Sequence, residues 1–238
     1  NEFTEEIRGT KVKYTLDDNS RPPKGFCITR LLNGIHLLES KPNYVIYCDG
    51  SGRIPFEQCL NLLKELQKKK CEGIFTNRIP WRSGIPYPRN MIEEFESWVV
   101  CKQFNLKKTY DLQCGLWGFL YPEGSNLHID CEGYEIELKF ACEVFKHFKR
   151  GGIINVKTTT EGATPSQFSG EDYSKSSQHF QKAYFLHKYF CIEIKNLIKI
   201  AIKYNKDVHS SKKLPKEYIK MLRTMDGIIS KPDIISLG

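Results

Sequence analysis

Short runs of β-forming residues alternate with amphipathic runs of helical length through the middle of this chain, and that alternation most restricts its fold. KVKYTL (11–16) alternates as a strand does. DDNSRPPKG (17–25) is a loop by its turn residues. FCITRLLNGIHLLES (26–40) has the spacing of an amphipathic helix. YVIYC (44–48) is compact and apolar, which predicts a central strand buried on both faces. Pro55 then opens a helix to Lys69, with Leu60, Leu63 and Leu66 facing inward. GIFTNR (73–78) is the next strand and MIEEFESWVVCKQFN (91–105) the next helix. YDLQCGLWGFLY (110–121) mixes strand residues with a glycine-marked turn. Residues 134–152 read as a helix ending at glycines, and IINVKTTT (153–160) as a strand. Strands joined by helical crossovers predict an α/β layered fold with a mostly parallel sheet flanked by helices. Residues 161–178 read as a polar, mobile loop, followed by a helical extension over 180–205 and 214–227.

The 238 residues suffice for a substantial core. No run approaches the roughly 20 apolar residues that a membrane-spanning helix needs, and no secretory leader is visible at the start. None of the nine cysteines forms a CxxC pair, which argues against a zinc ribbon. Their odd number and apolar surroundings predict reduced core thiols of a cytoplasmic protein. The net charge of +8 favours anionic partners. Nucleic acid is the poorest of these, because the charge is spread and no aromatic–basic recognition motif appears.

Ligands of open α/β sheets bind beyond the carboxyl ends of the strands, which is where Asp49 falls. Gly50 and Gly52 permit unusual backbone angles and close approach of a ligand. An acid there can hold a divalent cation that neutralises a diphosphate. It equally suits an Asx turn or a helix cap, and the local sequence leaves both open.

The order strand–Asp49–x–x–x–Arg53–x–Pro55–helix, then Thr76-Asn77-Arg78, then Asp111-Leu112-Gln113-Cys114-Gly115, then Gly133-Tyr134 with Glu137 resembles the family 2 glycosyltransferases. The nearest branch is similar to the dolichyl- and polyprenyl-phosphate mannose and glucose transferases. The likeness covers residues 11–160. It implies a GT-A fold, a Rossmann-like sheet that binds a nucleotide-sugar, in a catalytic domain spanning 1–160, with the loop and C-terminal helices over 161–238. It implies transfer of a sugar, with inversion, from a UDP- or GDP-linked donor to a hydroxyl or phosphate acceptor, a polyprenyl phosphate or an envelope glycan among them. On that resemblance Asp49 holds a divalent cation, Mg²⁺ or Mn²⁺. Asp49, Ser51, Arg53, Arg78 and Gly115 bind the nucleotide-sugar. Asp111 accepts the acceptor's proton or orients the acceptor, and Gln113 hydrogen-bonds the sugar.

Two departures bear on those expectations. Ser51 stands where the branch has the second acid of its Asp-x-Asp motif, and a hydroxyl is a weaker metal ligand than a carboxylate. The family opens with a strand ending in a Pro-x-x-Asn-Glu turn, and Asn1-Glu2 stands where that turn would close, so the first nucleotide-binding unit is expected to be incomplete. The alternative reading is a non-catalytic relative that binds a nucleotide, a sugar or a protein partner. Residues 181–206 predict one long amphipathic helix, with Lys188, Lys195, Lys199 and Lys203 in one arc. Such a helix packs on the sheet or docks on the cytoplasmic face of a membrane.

Overall fold

The structure, a computed structural model, describes residues 2–7, 10–15, 24–35, 37–49, 54–68, 71–79, 87–121, 127, 129–149, 151–157, 173, 177–207 and 213–230. Strands β1 (Glu2–Ile7) and β2 (Thr10–Thr15) pair as an antiparallel hairpin, of which the sequence indicated only the second strand. Helix α1 (Lys24–Ile35), strand β3 (Tyr44–Cys48), helix α2 (Phe56–Gln67), strand β4 (Gly73–Ile79), helix α3 (Arg89–Gln103) and strand β5 (Leu116–Leu120) follow. Then come α4 (Ile136–His147), β6 (Gly151–Lys157), α5 (Gln178–Phe190), α6 (Ile194–Asp207) and α7 (Lys216–Ile229).

The main sheet has the order β3-β5-β4-β6. Its class is α/β, as expected, but the sheet is mixed. β5 is antiparallel to both β3 and β4, and only β4 and β6 are parallel. The expectation of a mostly parallel sheet is therefore corrected, and the chain path supplies the reason. At the end of α3, Asn105 adopts a left-handed conformation at φ 55° and the Leu106 N–H bonds back to the Cys101 carbonyl at 2.8 Å. The chain reverses there and retraces the helix. Leu112 N–H reaches Ser97 Oγ at 3.4 Å, and Gln113 Nε2 reaches the Glu93 carbonyl, near the start of α3, at 2.9 Å. The chain thus re-enters the sheet at the end where β4 left it, and β5 must run the other way.

The pleat sends alternate residues of β5 into two cores. Trp117 and Phe119 join Phe140, Met91 and Leu186 on the face covered by α3, α4 and α5. Leu116 and Leu120 join Ile74 and Val156 with Leu62 and Leu66 of α2 on the other face. The inward stripe of α2 is thus Leu62 and Leu66, whereas Leu60, expected inside, is 43% exposed. β3 lies at an edge of the sheet and is only half-buried, where a central, doubly buried strand was predicted.

The expected single helix over 181–206 is two helices. Cys191 takes a left-handed conformation at φ 53° and ends α5, and the Ile192 N–H returns to the His187 carbonyl at 3.1 Å. Ile194, Leu197, Ala201 and Tyr204 bury the apolar side of α6 in the same core as α3, α4 and α7. Lys195, Lys199 and Lys203 remain on its exposed side. No helix among the described residues is long and apolar enough to cross a membrane. All nine cysteines are free thiols, four of them buried.

Candidate functional site

Because β5 is antiparallel, the segment 111–115 that precedes it lies at the same end of the sheet as the carboxyl ends of β3 and β4. A parallel β5 would carry that segment to the opposite end, about 17 Å away for a strand of this length. Asp49, Arg78, Asp111, Gln113 and Gly115 are thereby brought together. Ser51 and Arg53 lie outside the described residues, as do Gly50, Gly52 and most of the 161–178 segment.

Asp49 is fixed from three sides. Its N–H donates to the Gly115 carbonyl at 2.7 Å. The Tyr47 hydroxyl, two residues back along the strand, donates to Oδ1. Lys24, the first residue of α1, places Nζ 2.9 Å from Oδ1 and 3.1 Å from Oδ2. The same ammonium lies 2.6 Å from Glu137 Oε1, at the start of α4. A Cβ at residue 115 would collide with the Asp49 carboxylate, so only glycine leaves that group in place. Stacking fixes Tyr47 in turn: its ring lies 4.8 Å from Trp117, which stacks 4.0 Å from Phe140.

Behind this surface layer the network is buried. Arg78 meets Asp111 with two bonds, Nε to Oδ2 and Nη2 to Oδ1, the latter at 2.7 Å. Nη2 also reaches Glu93 Oε2 at 3.1 Å, and Arg89 holds the other Glu93 oxygen at 2.6 Å. Asn77 accepts the Asp111 N–H at 2.7 Å. Gln113 accepts a bond from Lys182 of α5 and donates to Glu96 Oε2 at 3.1 Å. Lys182, although fully buried, also lies 3.4 Å from Glu137 Oε2. One polar chain therefore runs from Tyr47 and Asp49 through Lys24, Glu137, Lys182 and Gln113 to Glu96, where Tyr218 and His179 complete it.

Charge pairing decides the ionisation states here. Burial opposes the Lys24 charge, but Glu137 and Asp49 outweigh it and hold the ammonium well above the ordinary lysine range. Burial likewise opposes ionisation of Glu93. Arg89, Arg78 and Lys182 prevail there and keep its carboxyl below the usual carboxylate range. At Asp111 burial pushes the carboxyl up, with Arg78 acting in the opposite sense. Burial also pushes the Cys114 thiol up to about 12, so it carries no thiolate near neutral pH.

The two residues expected to act on substrate, Asp111 and Gln113, are inside: Asp111 is 0% exposed and Gln113 4%. Both Asp111 oxygens are on Arg78. Among the acids of the network Asp49 has the most open side chain, at 32%. The described side chains do not fit the expected divalent cation. Both Asp49 oxygens are bonded to Lys24, Oδ1 also to Tyr47, and no three His, Cys, Asp or Glu side chains among the described residues group closely enough to ligate an ion.

Lys24, Lys182, Glu93 and Glu96 were missed from sequence, although Lys182 had a signal. Lys24 falls in the stretch read as a loop, 17–25, ahead of a helix expected to start at Phe26, so its place in the first turn of α1 was not visible. Lys182 sits three and four residues before Phe185 and Leu186, on the apolar side of its helix. On the far side of α4 and α5 a separate cleft of about 590 Å³ is lined by Cys131, Glu135, Lys139, Tyr184 and Lys188. It contains none of the residues expected to bind the nucleotide-sugar or act on it, although Gly133 of the Gly-Tyr motif and Lys188 of the expected lysine arc line it. No protein-family model matches the chain, and no curated protein is significantly similar to it.

Proposed function

We propose that the chain is a GT-A-type glycosyltransferase that moves a sugar from a nucleotide-sugar to a hydroxyl or phosphate acceptor. One observation carries the reading. The separate motifs on which the resemblance to family 2 rests converge at one end of the sheet, with Asp49, Gly115 and Glu137 at one cluster and Arg78 with Asp111 behind it. In this reading the bond between the sugar and the diphosphate breaks as the acceptor oxygen takes its place, a phosphate acceptor attacking as its anion and a hydroxyl acceptor giving up its proton to water. The departing nucleoside diphosphate gains negative charge, which Arg78 and Lys24 help to balance. Asp49, the open carboxylate, meets the nucleotide-sugar. Asp111 acts by holding Arg78, and Gln113 by holding Lys182, so both are positioning residues. The exposed lysines of α6 suit an acidic membrane face, where a lipid-phosphate acceptor would be found.

The burial of Asp111 and Gln113 favours a second reading, a protein that binds a nucleotide or sugar without turnover. A thermal-shift screen of UDP- and GDP-sugars, followed by chromatographic assay of released UDP or GDP with polyprenyl phosphate as acceptor, separates the two. A ligand that binds only the native state raises the melting temperature. A shift with acceptor-dependent release supports transfer. A shift without release favours the binding protein, and no shift with any donor removes both.

A further inference from the structure

Lys24 occupies an unusual place for a cation. It opens α1, at the positive end of the helix dipole, and lies deep enough that its side chain is only 18% exposed. Three carboxylate oxygens surround Nζ, at 2.6 Å from Glu137 and at 2.9 and 3.1 Å from Asp49. An ammonium has three N–H donors and no acceptor, so these oxygens match its capacity. The Tyr47 ring closes another side, its centroid 5.6 Å from Nζ. A divalent cation bridging Asp49 and Glu137 would bind at about 2.0–2.6 Å from their oxygens. That is the space Nζ fills.

We propose that the Lys24 ammonium is the resident cation of this site, standing where a divalent metal ion would otherwise bridge Asp49 and Glu137. The site then binds a nucleoside diphosphate without a metal. That last consequence rests on the glycosyltransferase reading; the exclusion of metal does not. Because Lys24 is part of the chain and is held by both carboxylates, the substitute is built into the fold.

The test compares the wild type, Lys24→Ala, Lys24→Arg and Asp49→Asn, each checked for native circular dichroism. Mn²⁺ binding is read from the free-ion electron paramagnetic resonance signal. The wild type and Lys24→Arg are expected to take up no Mn²⁺ at this site. Lys24→Ala leaves two carboxylates facing an emptied position and should bind Mn²⁺ at least about tenfold more tightly than the wild type. UDP serves as the probe of the diphosphate site. Its binding to the wild type should be indifferent to EDTA, fall at least about tenfold in Lys24→Ala, and recover there when Mn²⁺ is added. Mn²⁺ uptake by the wild type that Asp49→Asn abolishes overturns the proposal, and so does EDTA-sensitive UDP binding. Should Lys24→Ala not fold, the wild type and Asp49→Asn still decide. Should UDP bind none of the proteins, the glycosyltransferase reading falls, and the Mn²⁺ comparison alone decides for or against Lys24.

Discussion

Replacing Asp111 with alanine tests whether this residue is part of the scaffold. The sequence suggests a surface acid whose loss would stop chemistry and spare the fold. The structure implies the reverse emphasis. Asp111 is fully buried and bonded twice to Arg78, whose side chain is 13% exposed. Its carboxylate also accepts the Gln113 N–H at 3.2 Å. Removing one partner of a buried pair typically costs about 3–5 kcal/mol, because the other charge stays behind. Arg78 keeps Glu93 at 3.1 Å, which places the cost near the lower bound of that range. A single domain has about 5–15 kcal/mol in all, so a loss of this size is a large fraction of the total. At about 2–4 °C per kcal/mol for chains of this size, the melting temperature should drop by about 6–12 °C. Urea titration of Asp111→Ala and of Arg78→Met with Asp111→Leu reads it directly. The double replacement, which leaves no unpaired charge, should recover much of the loss. An Asp111→Ala protein within about 0.5 kcal/mol of wild type, at unchanged denaturant slope, would refute the reasoning.

Gly115→Ala should dislodge Asp49 from Lys24 by direct collision, lowering UDP affinity and stability together by about 1–3 kcal/mol of unfolding free energy, measured by calorimetry and urea titration. Cys191→Gly should stabilise the protein by about 0.5–1 kcal/mol, since the residue already sits at φ 53° where glycine is unstrained; an unchanged urea midpoint would show that the turn carries no strain. Glu93, with its folded pKa held down, contributes stability that is present above the unfolded carboxylate pKa of about 4.3 and lost as pH falls below it. Glu93→Gln should therefore flatten the fall in stability below that pH, although Asp111, shifted the other way, partly opposes the slope in both proteins.

Element positions were legible because they depend on local pattern. The residues of β3 agree with the reading of YVIYC, α2 and α4 lie within the runs that marked them, and β4 runs one residue beyond GIFTNR. Strand direction was not legible, because it depends on a reversal at Asn105 and on bonds from Leu112 and Gln113 back to α3. An asparagine among lysines and leucines gives no sign of how far the chain then retraces. The wrong stripe on α2 has a similar origin. Leu60, Leu63 and Leu66 share a helical face nearly as well as Leu62 and Leu66 do, and the close approach of Leu62 to Gly118 on β5 decides between them. At the site, Asp49, Asp111, Glu137 and Arg78 could be named because they stand in recognisable short motifs, whereas Glu93 and Glu96 stand in a helix that carries none. Lys24 could not, because it stands in an expected loop and meets Asp49 and Glu137 only once distant segments have packed, and the signal at Lys182 showed its place on an apolar helix side but not its partners.

The central position of β5 also governs the order in which the protein can assemble during synthesis. Every pairing in the main sheet involves β5 or β6, and β3 and β4 never touch each other within it. A nascent chain that has not yet released Leu120 from the ribosome holds two strands with no partner for either. The first ladder bonds of the main sheet must span at least from Cys48 to Leu116 or from Phe75 to Trp117. Until then the apolar residues of β3 and β4 are exposed along unpaired edges, which makes this interval of translation the one in which a chaperone would matter most.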